Sequence, residues 1–344
     1  MRRYKRTLVS TALATAVVAG TAGWASGTAQ RAAEGPPPGS AAWRADRSLG
    51  RELPDPERAS PAEVAAFFRG LPEQQRLRLT HRHPGVVGNL DGVPTALRYE
   101  ANSLAVRADS RYAHLADHRL LAFDPRGRGQ VAEVFGDLEH SSRVAVIVPG
   151  SDIDAGSYDN PRNPYGSAAG MARQLRAATG ERTAVIAWAG YTTPEGVGLD
   201  AATGSLAVVG AERLVRLGDG LAAGGVAAPS VFCHSYGSVV CGLAADRLKA
   251  KDLVVFGSPG MRAGNVAELG TSARVWAAKD PTDWISKVPN VRFMGLGHGP
   301  DPASAEFGAR HVPAWDARGH SGYFAPGTAS LRAFAAISLK GEGE

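Results

Sequence analysis

From residue 119 onward the chain alternates short apolar runs with longer amphipathic stretches. The runs are Leu120 to Phe123, Gln130 to Phe135, Val144 to Val148, Ala184 to Trp188, Ser230 to Cys233, Leu253 to Phe256, Arg274 to Ala277 and Val291 to Leu296. Each has the length of a buried strand. Helical spacing falls between or after them, near Ala168 to Ala178, Gly204 to Ala222, Tyr236 to Leu248 and Ser330 to Leu339. Strands separated by helix-length segments predict an α/β fold, a mostly parallel central sheet with helices on both faces. Upstream, Ser60-Pro61 supplies an N-cap and a first-turn proline ahead of Val64, Phe67, Phe68 and Leu71, which share one helical face. Further helices are expected over Glu73 to His81 and from Thr95 to about His118. Residues 60–118 therefore read as a helical preface to a domain over 119–344. No repeat of solenoid or propeller period is present.

Residues 30–59 are rich in Pro, Gly, Ala and charge, including Gly35-Pro36-Pro37-Pro38-Gly39, and are expected to form a disordered linker. Residues 1–29 read as an export signal: Arg2, Arg3, Lys5 and Arg6 precede an uncharged Ala/Val/Thr stretch, and small residues follow at Ala25, Gly27 and Ala29. Secretion with cleavage near residues 26–30 is the expectation, against an uncleaved anchor that Thr, Ser and Gly would weaken.

The net charge of +5 comes mostly from that leader, and the remainder is close to +1. A basic pI is then no sign of a nucleic-acid partner. Cys233 and Cys241 are the two cysteines of the 344-residue chain. They cannot make the disulfide framework that small exported domains need; lying in an apolar run they are expected to be two buried thiols, with a Cys233–Cys241 bridge as the alternative in an oxidising compartment.

The chemistry concentrates in Cys233-His234-Ser235-Tyr236-Gly237, where an apolar strand ends and an apolar helix begins at once. That is the setting of a nucleophile elbow, in which a serine on a strained turn presents its hydroxyl and the next backbone N–H faces the forming oxyanion. Cys233 stands where the motif has its first glycine. The strand ending in Val148-Pro149-Gly150-Ser151 matches the other half of such a site, with the Ser151 and Tyr236 amides as oxyanion donors. Ser235 then needs a base and an orienting acid, expected after it in chain order. Asp280 and Asp283 follow the Arg274 to Ala277 run, and His298, His311 and His320 are the candidate bases. His234 is expected to orient backbone or pack in the elbow, since successive strand side chains point to opposite faces.

Other residues carry less. His81 and His83 lack companions for a metal set and read as a solvated helix end. Asp152 and Asp154 read as loop carboxylates, Trp188 and Tyr191 as aromatic core, and Asn160 to Gly166 as a turn-rich element above the sheet end. With no phosphate-cradling loop and no well-placed dinucleotide fingerprint, no cofactor and no metal are expected.

The strings Arg82-His-Pro-Gly-Val-Val-Gly-Asn-Leu-Asp-Gly-Val-Pro, Cys233-His-Ser-Tyr-Gly-Ser-Val-Val-Cys-Gly, Val255-Phe-Gly-Ser-Pro-Gly and Gly319-His-Ser-Gly-Tyr-Phe resemble an exported alpha/beta hydrolase family of actinobacteria, long described as a domain of unknown function. The C-terminal third is also similar to the class 3 lipases. In that pattern a Phe-Gly-Ser-Pro strand leads through an acid six residues before a Pro to a His beside a Tyr-Phe pair; here these are Phe256 to Pro259, Asp283 before Pro289, and His320 before Tyr323-Phe324. The resemblance implies a Ser235, Asp283, His320 triad, with Asp280 and His298 as alternates. It implies a secreted serine hydrolase acting on a small-molecule or lipid ester, possible association with the cell envelope included. An acyltransferase on envelope lipids or sugars would use the same triad, and a binding protein on a hydrolase scaffold would leave it idle.

Overall fold

The computed structural model describes residues 29–180 and 182–340. The leader expected over residues 1–29 lies outside them except for Ala29. Eight strands form one sheet: β1 (Leu120–Asp124), β2 (Gln130–Phe135), β3 (Arg143–Val148), β4 (Thr183–Ala189), β5 (Ser230–His234), β6 (Asp252–Phe256), β7 (Arg274–Ala278) and β8 (Arg310–Val312). Their order is β1-β2-β4-β3-β5-β6-β7-β8. The β1–β2 and β2–β4 pairs are antiparallel, and every pairing from β4 to β8 is parallel. Strands β3 to β6 are buried along almost their whole length, as a sheet covered on both faces requires.

One face packs on helices Ser205–Ala223 and Gly237–Ala244, with Leu214, Leu217, Val239 and Val240 in the core. The other packs on helices Ala168–Ala178 and Ala329–Leu339, through Met171, Leu175, Phe334 and Ile337. Chain order reverses around β3: the connection out of β3 runs to β4, and the return runs over β3 to β5. The topological switch point therefore falls at the carboxyl ends of β3 and β5, the position where open α/β sheets bind their ligands.

Two expectations fail in instructive ways. Val291 to Leu296 is not a strand. Met294 and Gly295 both take positive φ (48° and 87°), and Phe293 and Leu296 exchange backbone hydrogen bonds of 2.9 and 3.0 Å, so the run is a tight turn with Phe293 and Met294 exposed. The eighth strand is Arg310–Val312 instead. The helix from Thr95 also stops early, at Arg107, because the Asp109 side chain accepts from the Arg111 N–H and turns the chain into a short 3-10 segment, Ala113–Leu115.

Residues 30–59, expected as a disordered linker, are ordered. They carry helix Ser40–Ala45, whose Trp43 is fully buried beside Val64, Phe68 and Val86 and donates its indole N–H to Pro54 O at 2.7 Å. This segment folds back over the preface, where Asp46 meets His83 Nε2 at 2.7 Å. His83 is thus buried and paired, not solvated; His81 is exposed and faces Glu100. The composition misled because one tryptophan supplies the burial that a Pro/Gly-rich stretch otherwise lacks. Preface helices Pro61–Arg69, Glu73–Arg82 and Thr95–Arg107 share this small core, and Asn89 and Asn102 hydrogen-bond the backbone of edge strand β1.

Candidate active site

The elbow forms where β5 meets the helix Gly237–Ala244. Ser235 has φ of 52°, a left-handed conformation that a non-glycine residue holds only when its surroundings enforce it. Its N–H is bound to Phe256 O at 3.0 Å, and its carbonyl accepts from the Ser238 N–H at 2.9 Å. Small residues are needed on either side. A Cβ on Gly237 would lie 2.5 Å from Val148 O, and one on Gly150 would lie 2.6 Å from Ser235 Cβ. The loop after β3 therefore runs directly against the serine, with Ser151 the next residue along it and Tyr236 the next after Ser235. Among the described residues neither amide is spent on a backbone partner outside its own element.

Position 233 is filled differently from expectation. Cys233 and Cys241, expected as free thiols, form a disulfide with a Cα–Cα separation of 6.5 Å, and both are fully buried. Strand β5 and the second turn of the elbow helix bring them together: Cys233 points from the strand end onto the helix face where Cys241 lies. Apolar surroundings argued for burial, which is right, but said nothing about the distance between the two sulfurs.

Asp283 and His320 are brought together: His320 Nδ1 lies 2.8 Å from Asp283 Oδ1 and 3.0 Å from Oδ2. Asp283 also accepts from the Ile285 N–H at 2.9 Å and the Tyr323 hydroxyl at 2.8 Å. Burial alone would raise its carboxyl; the bonds from His320, Ile285 and Tyr323 outweigh that and hold it below the ordinary carboxylate range. His320 is tied to the elbow through its neighbour, because His234 Nε2–H donates to His320 O at 2.7 Å and the two rings lie 4.6 Å apart. Burial, then the nearby His320, pushes the His234 imidazole down to about 3, so it stays neutral, stacked on Phe256. No hydrogen bond joins Ser235 to His320 among the described residues. Catalytic hydrogen bonds of this kind often tighten only with substrate in place.

The alternates have other work. Asp280 accepts from the Thr282 N–H, the Thr282 hydroxyl and the Gly319 N–H, so it anchors the loop that carries His320. His298 donates Nε2–H to Ala201 O at 2.7 Å, and burial pushes its imidazole down to about 4. Neither is paired with the other. His311 sits exposed on β8. Asp152 accepts from the Gly196 N–H, and Asp154 pairs with Arg128, both as loop ties; among the described residues no cluster could hold a metal ion.

Three residues were not assigned these roles from sequence. Tyr323 donates to Asp283 while accepting from the Asp280 N–H at 2.9 Å, bridging both acids. Tyr191, fully buried, donates to Pro149 O at 2.7 Å and so braces the loop that reaches Ser235. Trp284, half exposed, lies with its ring 4.6 Å from that of His320. The Tyr-Phe pair beside His320 and the aromatics after β4 were the available signals, but a hydroxyl's partner cannot be read from spacing.

Residues 124–293 match an alpha/beta hydrolase family. An uncharacterized protein of Mycobacterium tuberculosis, present in strains CDC 1551 and H37Rv, is 28% identical over 83% of this chain; the chain spans 56% of that relative's length. Solved structures that resemble it include a dienelactone hydrolase from Anabaena variabilis (17% identity, TM-score 0.38, 61% of this chain and 88% of that one). An α/β serine hydrolase without lid from Xanthomonas campestris compares similarly (17% identity, TM-score 0.38, 62% and 89%). The sheet order, the elbow at the carboxyl end of β5 and the family match together identify the chain as having the alpha/beta-hydrolase fold.

Proposed function

We propose that this chain is a secreted serine hydrolase that cleaves an ester through an acyl-enzyme on Ser235. The observation that carries the reading is the His320–Asp283 pair, hydrogen-bonded at 2.8 Å and tied through His234 to the strained serine. In this reading His320 Nε2 takes the Ser235 proton as Oγ attacks the acyl carbonyl, and the Ser151 and Tyr236 amides receive the oxyanion. His320 then protonates the departing alkoxide, and water, deprotonated by the same imidazole, releases the acid. Asp283 fixes Nδ1–H toward itself and leaves Nε2 to face the serine. An ester suits this machinery because its leaving group is readily expelled. The Cys233–Cys241 disulfide supports export, since such bonds persist in oxidising compartments.

The test is fluorophosphonate labelling of the purified chain together with turnover of an ester panel, with and without added alcohol. Labelling with release of free acid supports the hydrolase. Transfer to the alcohol in preference to water would make it an acyltransferase, and absence of both labelling and turnover would make it a binding scaffold.

A further inference from the structure

Residues Gln30 to Glu34 make five hydrogen bonds to groups 92 to 180 positions away in the chain. Gln30 N–H donates to Asp200 Oδ2 at 2.8 Å, and Gln30 Oε1 accepts from the Glu195 N–H at 2.9 Å. Ala33 N–H donates to Thr192 Oγ1 at 3.0 Å, while Arg213 and Arg126 donate to the carbonyls of Ala33 and Glu34 at 2.6 and 2.8 Å. None of the residues from Ala29 to Glu34 is fully buried, though Ala32 packs half-buried against the core cluster that holds Leu206, and an open pocket of about 300 Å³ is lined by Gln30, Ala32, Glu34, Ser205 and Leu206. The stretch is therefore held by these polar contacts together with the contact of Ala32 on the core.

Three of the five partners lie in one segment, 192–200, and that segment is the rim of the candidate site. Pro194 O accepts from the Asp152 N–H at 2.8 Å, and the Gly196 N–H donates to Asp152 Oδ1 at 2.7 Å. Asp152, at φ 65°, directly follows Ser151. Farther along, Thr203 O accepts from the Tyr236 hydroxyl at 3.0 Å. The rim is thus bonded to Asp152, the residue after Ser151, and the chain just beyond it, at Thr203, is bonded to Tyr236.

We propose that Gln30–Glu34 is a positioning strap for the oxyanion loop, with Gln30 and Asp200 as its clasp. Its pull passes through 192–200 to Asp152, and so sets where the Ser151 amide points. In the exported reading proposed above, cleavage near residues 26–30 places this strap at the start of the mature chain. The kinetic consequence rests on the acyl-enzyme reading above; the mechanical coupling does not.

The experiment compares the mature chain beginning at Gln30 with one beginning at Pro36, and with Asp200→Ala and Asp200→Asn. Hydrogen exchange is read at 150–153 and 192–203, and kcat and KM are read with p-nitrophenyl butyrate. The shortened chain and Asp200→Ala should each speed exchange in both segments about tenfold or more while β5 and β6 stay protected. The kcat should fall about tenfold to a hundredfold, less than removing an oxyanion donor outright, with a smaller change in KM. Asp200→Asn keeps an acceptor oxygen and should stay near the parent, and combining Asp200→Ala with the shortened chain should add little. Unchanged exchange at 150–153 in the shortened chain overturns the strap, as does a kcat loss that merely follows a general fall in thermal stability. A parent chain that turns over no ester refutes the functional reading, while the exchange data still decide the strap.

Discussion

At the residue scale, the chemistry depends on which groups hold Asp283. The hydrogen bonds from Ile285, Tyr323 and His320 keep it ionised and turned toward His320 Nδ1, which in the proposed mechanism leaves Nε2 for the serine. Tyr323→Phe removes the hydrogen bond to the charged Asp283 and leaves the buried Asp280 N–H without its acceptor, and should cost about 2–4 kcal/mol of stability in urea melts. Activity should fall far less than in Asp283→Asn, for which a loss on the order of 10⁴ is expected because the imidazole takes the wrong tautomer. An inactive but fully stable Tyr323→Phe would contradict a purely orienting role. Spacing alone left Asp280 and Asp283 open, because both follow β7 and Pro281 lies between them. Only the lipase-like resemblance favoured Asp283 and His320. The difference lies in which carboxylate turns toward the His320 ring and which toward the loop backbone, and that is a tertiary fact.

At the element scale, the elbow is a strand and a helix forced close together, and the disulfide pins them on either side of Ser235. Closing so short a loop restricts the unfolded chain modestly, so Cys233→Ala with Cys241→Ala should cost about 2–3 kcal/mol. A chemical-denaturation midpoint unchanged by the double substitution would show the bridge to be idle. Seven of the eight strands and the helices flanking the sheet were legible from periodicity, since runs of buried β-formers between helical stretches have few other solutions. Val291 to Leu296 was not, because an apolar run carrying Gly295 and followed by Gly297 can turn as easily as extend. Residues 30–59 were not either, because their order depends on where Trp43 and Asp46 land, not on their own composition.

At the scale of the whole molecule, two buried imidazoles make stability fall between pH 7 and pH 5. His234 and His298 are pushed down to about 3 and about 4, chiefly by burial. Against an unfolded value near 6.5, the unfolded chain takes up protons that the folded chain refuses as pH falls below about 6.5. Stability is therefore full above that pH and falls by about 1.4 kcal/mol per pH unit for each histidine until its folded value is reached. From pH 7 to pH 5 these two groups should remove about 3–4 kcal/mol in urea melts. His298→Gln should roughly halve that loss, and an unaltered slope would mean His298 already titrates in the folded chain. The proposed mechanism centres on the Ser235 hydroxyl, and covalent labelling of it is the most direct measurement. A fluorophosphonate should add one equivalent to the folded chain, with the adduct mapped by peptide mass spectrometry to Ser235. Labelling should vanish in a folded Ser235→Ala and slow by several orders of magnitude in His320→Ala. An adduct on another residue, or undiminished labelling of Ser235→Ala, would contradict the account.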